Sequence, residues 1–346
     1  MAERLTIIDF VEKYVAKYSD NPFLWEKNLD TNQWEPTTYK ETLVKAKRIA
    51  AGLMALGVQK GEKVSYLSEG RDMWVIGELA MFYAGAMNVP LSIKLEESND
   101  LLFRLIHGDV KFIMVSGTQL KKLRLIREQL PEVKKVIIFD EQDHYEDGEI
   151  FVGDVMKMGD EFLANHTLEE FLAVGNSIQN DDIATITYTS GTTSDPKGVI
   201  LTHRNYTANV EQALTRISIP STYRTLIILP LDHCFAHVCG FYIMIACGAT
   251  VATTQVGATP MQTLRNIPAN IREVKPHFLL SVPALAKNFR KNIESSIKSK
   301  GAFTEKLFKF ALKVSYEYNQ DGYSKGRGWR FILKPLVALF DKILYS

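Results

Sequence analysis

The sequence predicts an α/β fold of layered, doubly wound parallel sheets covered by helices. Three observations predict it. Short β-branched segments alternate with helical ones from residue 39 to about 139. The composition, 46% apolar and 23% charged over 346 residues, is that of a globular chain large enough for one big domain or two ordinary ones. A glycine-containing, hydroxyl-rich loop at 189–198 directly follows a strand-like run. Strand, helix, strand, helix at this rhythm gives a parallel sheet with helices on its faces.

Taken in order, residues 39–57 place Leu43, Ala46, Ile49, Ala50, Leu53 and Leu56 at helical spacing, and Gly57 ends the helix. KVSYLS is a strand, MWVIGELAMFYAG a buried helix closing at Gly85, and NVPLS a strand. A helix at 99–107, the strand KFIMVS, a helix at 118–130 and the strand KKVIIF continue the alternation. Residues 140–180, acidic and weakly patterned, predict a surface excursion with one helix near 167–174. DIATITYTS is a strand, followed by the loop and then the helix THRNYTANVEQALTR. TLIILP and HFLLSVP are further strands, 284–298 a helix, and FILKPLVALFDKILYS a helix. Sub-lobes at roughly 1–175 and 176–346 are expected, interleaved within one domain.

The bulk properties exclude some functions. A net charge of +1 excludes a polyanion binder, so no nucleic-acid partner is expected. Three cysteines make no disulfide framework and fit a reducing cytoplasm. The opening MAERLTIIDFVEKY mixes acids into its apolar residues, unlike a signal peptide. His233 to Leu264 lacks Asp, Glu, Lys and Arg, but Gly248, Gly257 and Pro260 break it, and a membrane span needs about 20 apolar residues. A helix near 238–247, a turn at Cys247-Gly248 and a strand at 249–254 are expected instead.

The residues that point to chemistry are Tyr188-Thr189-Ser190-Gly191-Thr192-Thr193-Ser194-Asp195-Pro196-Lys197-Gly198. A loop between strand and helix suits an anion, because its amides and the helix N-terminus both favour negative charge. Hydroxyls at Thr189, Ser190, Thr192 and Thr193 can donate to phosphate oxygens. Gly191 and Gly198 allow close backbone approach and positive φ, and Lys197 adds a compact cation. The Walker A pattern does not fit, since Lys197 precedes a glycine instead of following one. A zinc reading of His233, Cys234, His237 and Cys239 is unfavourable, because adjacent residues 233 and 234 point apart and zinc wants four tetrahedral ligands.

This loop resembles the signature loop of the adenylate-forming superfamily, with serine at 194 where most members carry glycine. FYAGAMNVPLS at 82–92, LPLDHCFAHVCGFY at 229–242 and EVKPHFLLSVPALAKNF at 273–289 resemble three further segments of that superfamily, in the right order. LWEKNLDTNQWEPTTYKE and the basic segment after VPALAKNFRKNI are similar to long-chain acyl-CoA synthetases. The resemblance implies ATP-dependent activation of a long-chain fatty acid to an acyl-adenylate, then thioester formation with coenzyme A. It implies that Thr189, Ser190, Gly191, Thr192, Thr193, Lys197 and Gly198 hold ATP, with Thr192 near Mg²⁺. His233 would stand at the mouth of the acyl pocket, with Lys197 in a catalytic role. His237 falls where some fatty acyl synthetases carry a tryptophan at the chain tunnel, which assigns it with His233 to substrate binding.

Segments expected for the Mg²⁺ glutamate, the ribose aspartate and the small hinged C-terminal domain are not found. The chain is therefore expected to be the truncated N-terminal AMP-binding portion of a longer enzyme, inactive by itself. Residues 286–346 hold 13 Lys or Arg against 5 Asp or Glu, a basic segment that could rest on anionic lipid. A homodimer is compatible with this reading. The alternatives are a ligase for an aryl, short-chain or amino acid, and a non-catalytic nucleotide- or acyl-binding protein.

Overall fold

The computed structural model describes residues 5–95, 98–189, 196–257, 259–281 and 283–344. The chain divides into two compact units, Met1–Leu280 and Ser281–Ser346. Among the described residues of unit 1, the strands are β1 (Pro22–Lys27), β2 (Trp34–Thr38), β3 (Lys63–Leu67), β4 (Met87–Pro90), β5 (Val110–Val115), β6 (Lys135–Ile138), β7 (Glu149–Phe151), β8 (Ile183–Tyr188), β9 (Gly198–Thr202), β10 (Arg224–Ile227) and β11 (Thr250–Thr253).

They form a seven-stranded sheet, β7-β6-β5-β3-β4-β8-β9, and a four-stranded sheet, β10-β11-β1-β2. Neighbours in the larger sheet run parallel except β8 and β9. In the smaller sheet β1 is parallel to β11 and antiparallel to β2. The α/β layering expected from the alternation is present, with an antiparallel edge on each sheet. The centre of the larger sheet is inaccessible: Val64, Ser65, Tyr66, Phe112 and Met114 are all buried. The helix Asp72–Tyr83 is apolar nearly all round and correspondingly buried on all sides. It lies against the helix Tyr39–Ala55, which opens with a Thr38–Glu41 capping box.

Several sequence expectations differ from the structure, among them the helix expected over 118–130, which ends at Arg124 before a 3₁₀ turn at Arg127–Gln129. Residues 140–180 are not a loose excursion. They contain β7 and the helices Val152–Asn165 and Leu168–Asn176. The first packs on Tyr39–Ala55 at Gly52 and Gly159, where an added Cβ would strike the backbone oxygens of Val155 and Arg48. The segment HFLLSVP forms no strand among its described residues, only a bridge between Thr225 and Phe278. The loop after β8 leads to β9 and not directly to a helix. Elsewhere the turn at Cys247-Gly248 is as expected, with Gly248 at φ 69° ending the helix Ile243–Cys247. No helix among the described residues is long and apolar enough to cross a membrane.

In unit 2 the helices are Pro283–Ser299, Ala302–Asn319 and Lys334–Leu344, with a 3₁₀ turn at Gly328–Leu333. Ala311, Val314, Tyr318, Val337 and Phe340 form its core.

Candidate functional site

β8 is parallel to β4, so Thr189 leaves the larger sheet at the carboxyl end of its parallel strands, where open α/β sheets bind ligands. Tyr188 pairs with Gly198 and Thr187 with Val199, and the Thr189 amide donates to the Lys197 carbonyl at 3.0 Å. The two ends of the loop are thus clamped as a hairpin. Thr189 and Lys197 are both exposed. Ser190, Gly191, Thr192 and Thr193 lie outside the described residues, and with them the expected Mg²⁺ hydroxyl.

Gly198 is extended strand without positive φ, contrary to the expectation for it. Its small size serves another end: an added Cβ would come within 2.9 Å of Ile186 Cγ2 across the hairpin. The expectation that the loop feeds a helix N-terminus also fails, because Val199–Thr202 continue as β9 before the helix His203–Leu214 begins. Any anion at this loop depends on loop amides, hydroxyls and Lys197, without that helix end.

The base of the hairpin is held from the side. Tyr188 Oη lies 2.8 Å from His107 Nδ1, and the Arg104 guanidinium sits 5.9 Å from the Tyr188 ring centroid. Both come from the last turn of the helix Ser98–His107. Burial raises the Tyr188 pKa, against the opposing charge of Arg104.

The second predicted residue, His233, follows β10, which is parallel to β11 and β1, so it too leaves a carboxyl edge. His233 is the N-cap of the short helix Cys234–His237 and is exposed. Its Nδ1 accepts from the Phe235 amide at 3.1 Å. A neutral imidazole so held carries its proton on Nε2, which is left available to a ligand.

His237 is fully buried one turn later. Its Nε2 donates to the Leu231 carbonyl at 2.7 Å, and its Nδ1 lies 3.1 Å from Glu78 Oε2. The Glu78 contact lies at the distance of an ion pair. Glu78 also accepts from Asn88 Nδ2 at 2.6 Å and from the Tyr242 hydroxyl. With an oxygen acceptor near each ring nitrogen, the geometry favours an imidazolium. Burial pulls the His237 pKa down, but the Glu78 carboxylate and the Leu231 carbonyl outweigh it, and the net shift is upward. Trp74, Tyr206 and Phe241 enclose the ring. A π-helical segment, Val238–Tyr242, aims Tyr242 at Glu78. His237 therefore faces inward and fixes Leu231, two residues before His233.

Sequence reasoning missed Glu78, Asn88, Tyr242, His107 and Arg104. For Glu78 a signal was present: it is the one acid inside the apolar run MWVIGELAMFYAG. The three cysteines are free, and no group of three or more His, Cys, Asp or Glu among the described residues could hold a metal ion. A cavity of about 800 Å³ lies between the hairpin β1–β2 and the start of the helix Asp72–Tyr83. Arg71 and Asp140 pair on its wall at 2.9 Å, but Thr189, Lys197 and His233 are not among its lining residues.

A family model described as AMP-binding enzyme matches residues 11–316. The chain is similar to long chain acyl-CoA synthetase 8 of Arabidopsis thaliana, 28% identical over 317 residues, covering 88% of this chain and 42% of that protein. It is 26% identical to the long-chain-fatty-acid–CoA ligase ACSBG1 of Homo sapiens over 88% of this chain and 41% of that protein. To fatty acyl-CoA synthetase B of Dictyostelium discoideum it is 26% identical over 93% and 47%. The chain thus spans less than half the length of these curated relatives. Among solved structures, an anthranilate CoA ligase in complex with anthranoyl-AMP superposes with a TM-score of 0.68 at 19% identity, over 81% of this chain and 50% of that one. A long-chain-fatty-acid-CoA ligase from Archaeoglobus fulgidus gives 0.68 at 20%, over 84% and 54%. At these identities the structures share the fold.

Proposed function

Because the chain belongs to the AMP-binding enzyme family, we propose that it carries the nucleotide-binding part of an ATP-dependent acid–thiol ligase acting on a long-chain fatty acid. The observation that carries this reading is the clamped β8–β9 hairpin, which presents an exposed Lys197 at the carboxyl edge of the larger sheet. The long-chain substrate draws its support from the curated relatives.

In this reaction a fatty acid carboxylate oxygen attacks the α-phosphorus of ATP. The bond to the β-phosphate bridging oxygen breaks, pyrophosphate leaves, and an acyl-adenylate forms. The thiolate of coenzyme A then attacks the acyl carbon and expels AMP. Charge accumulates on phosphate oxygens in the first step, so fixed donors and cations are the main catalytic resource. Lys197, Thr189 and the loop 190–193 would hold the β- and γ-phosphates. His233 would donate from Nε2 toward the carboxylate. His237 would act from beneath, by holding Leu231. A Mg²⁺ ion with ATP would neutralise part of the triphosphate. Thr192, its proposed neighbour, lies outside the described residues.

The test is ATP binding to this chain by calorimetry, beside two non-hydrolysable acyl-adenylate analogues, one palmitoyl and one anthraniloyl. Lys197→Ala should weaken ATP about ten- to a hundredfold, the worth of a hydrogen bond from a charged donor. Unchanged ATP affinity in Lys197→Ala would overturn the assignment of the loop. Tighter binding of the anthraniloyl analogue would overturn the long-chain substrate and leave the adenylation reading in place.

A further inference from the structure

The charges of this chain are segregated. Residues 286–346 carry 13 Lys or Arg against 5 Asp or Glu, whereas residues 1–285 carry 28 against 35. Half of this excess lies in residues 286–300, and the other half gathers at one turn. From Lys325 to Lys334 there are four cations, Lys325, Arg327, Arg330 and Lys334, and no acid.

The turn is built, not frayed. Gly322, Gly326 and Gly328 all take positive φ, and the Gly326 amide donates to the Tyr318 carbonyl at 2.9 Å. An added Cβ at Gly326 would meet the Tyr318 ring at 2.9 Å. The 3₁₀ turn Gly328–Leu333 then sends Leu333 inward onto the core of Val337 and Phe340. Its other large side chains face out: Trp329 is 58% exposed, Phe331 65% and Ile332 64%. Arg330 pairs with Glu317 at 3.0 Å and lies 5.7 Å from the Trp329 ring centroid. Lys325, Arg327 and Lys334 are exposed along the same turn, with Lys325 Nζ 5.6 Å from the Tyr318 ring centroid.

Three large apolar side chains exposed within four residues are costly in water, and exposed apolar surface of this kind marks an interaction site. Charge decides what it meets. A second copy would bring the same cations face to face. A bilayer bearing anionic headgroups offers opposite charge at the rim and hydrocarbon at the centre, and tryptophan favours that boundary. We infer that the turn Lys325–Lys334 docks unit 2 onto an anionic lipid bilayer, with Trp329, Phe331 and Ile332 entering the headgroup region. This inference is independent of the adenylation reading, since it uses no residue of that site.

Vesicle sedimentation tests it, with phosphatidylcholine vesicles made with and without phosphatidylserine. The wild-type chain should pellet with the phosphatidylserine vesicles, less so at high salt, and hardly at all with phosphatidylcholine alone. The variant Lys325→Gln/Arg327→Gln/Lys334→Gln should bind about a hundredfold more weakly, from ~1 kcal/mol for each basic residue near an anionic surface. Trp329→Ala/Phe331→Ala/Ile332→Ala should lose at least about tenfold and should keep the wild-type melting temperature, because all three side chains are exposed. As a check that does not depend on truncating side chains, brominated lipid should quench part of the wild-type tryptophan fluorescence, and that part should vanish in Trp329→Phe. Failure of the wild type to bind, equal binding by wild type and both triple variants, or a self-association abolished by the apolar triple variant would each overturn the inference.

Discussion

His203 and His237 are both enclosed, yet their proton affinities move in opposite directions. Burial pushes the His203 pKa down to about 4, and its Nδ1 accepts from the Ile7 amide at 3.3 Å. The unfolded chain takes up a proton near pH 6.5 that the folded one refuses until about 4. Stability from His203 is therefore present above pH 6.5 and lost as pH falls toward 4, up to ~3 kcal/mol in all. His203→Gln should flatten the melting temperature across that window, and an unchanged acid slope in the variant would contradict it. His237 has the other sign: its raised pKa gives stability that is full below the unfolded value and is lost as pH rises through the folded one. Glu78→Gln removes the carboxylate beside that buried cation and should cost about 3–5 kcal/mol in urea unfolding, the usual effect of breaking a buried pair. A loss below about 1 kcal/mol would mean that His237 is neutral in the fold.

At the scale of elements, the contact between the helices Tyr39–Ala55 and Val152–Asn165 depends on the absence of side chains at Gly52 and Gly159. Gly52→Ala should push these helices apart and cost about 1–3 kcal/mol, the range for overpacking a tight contact. Wild-type melting behaviour in that variant would show the contact to be slack. The same contact explains why the helix Val152–Asn165 escaped sequence reasoning. It demands a glycine at 159, which with Gly153 and the acids Asp154, Asp160 and Glu161 masks the apolar stripe of Val152, Val155, Met156, Phe162 and Leu163. The central strands β3, β5 and β6 and the helix Asp72–Tyr83 were legible because burial on every side leaves continuous apolar runs. The hairpin β1–β2 and strand β9 were not, since β2 and β9 are half exposed and carry no alternation. Thr202 also ends β9 while capping the next helix through Asn205, which blurs strand into helix. At the candidate site, the loop and His233 were visible as contiguous motifs. The Glu78 cage was not, because Tyr242 and His237 meet Glu78 only through the fold.

At the scale of the whole molecule, chain order and spatial order diverge. β1 pairs Leu24 with Val251, and β4 pairs Asn88 with Thr185. The antiparallel partner of β1 is close in sequence, whereas its parallel partner is made only after most of unit 1. During synthesis the ribosome emits about 5–20 residues per second, so the β1–β2 ribbon waits roughly 10–45 s for β11 to emerge. For that interval Phe23 and Leu24, fully buried at the end, have no sheet to lie in, and a two-stranded ribbon is marginal in water. The vulnerable moment for this protein is its birth, when an open strand edge invites pairing with a neighbouring nascent chain. Ribosome-stalled chains ending before Thr250 should be protease-sensitive at β1, and chains extended well beyond Thr253 should be protected there. Slowing elongation across this interval should lower the yield of soluble protein without altering the stability of the molecules that fold.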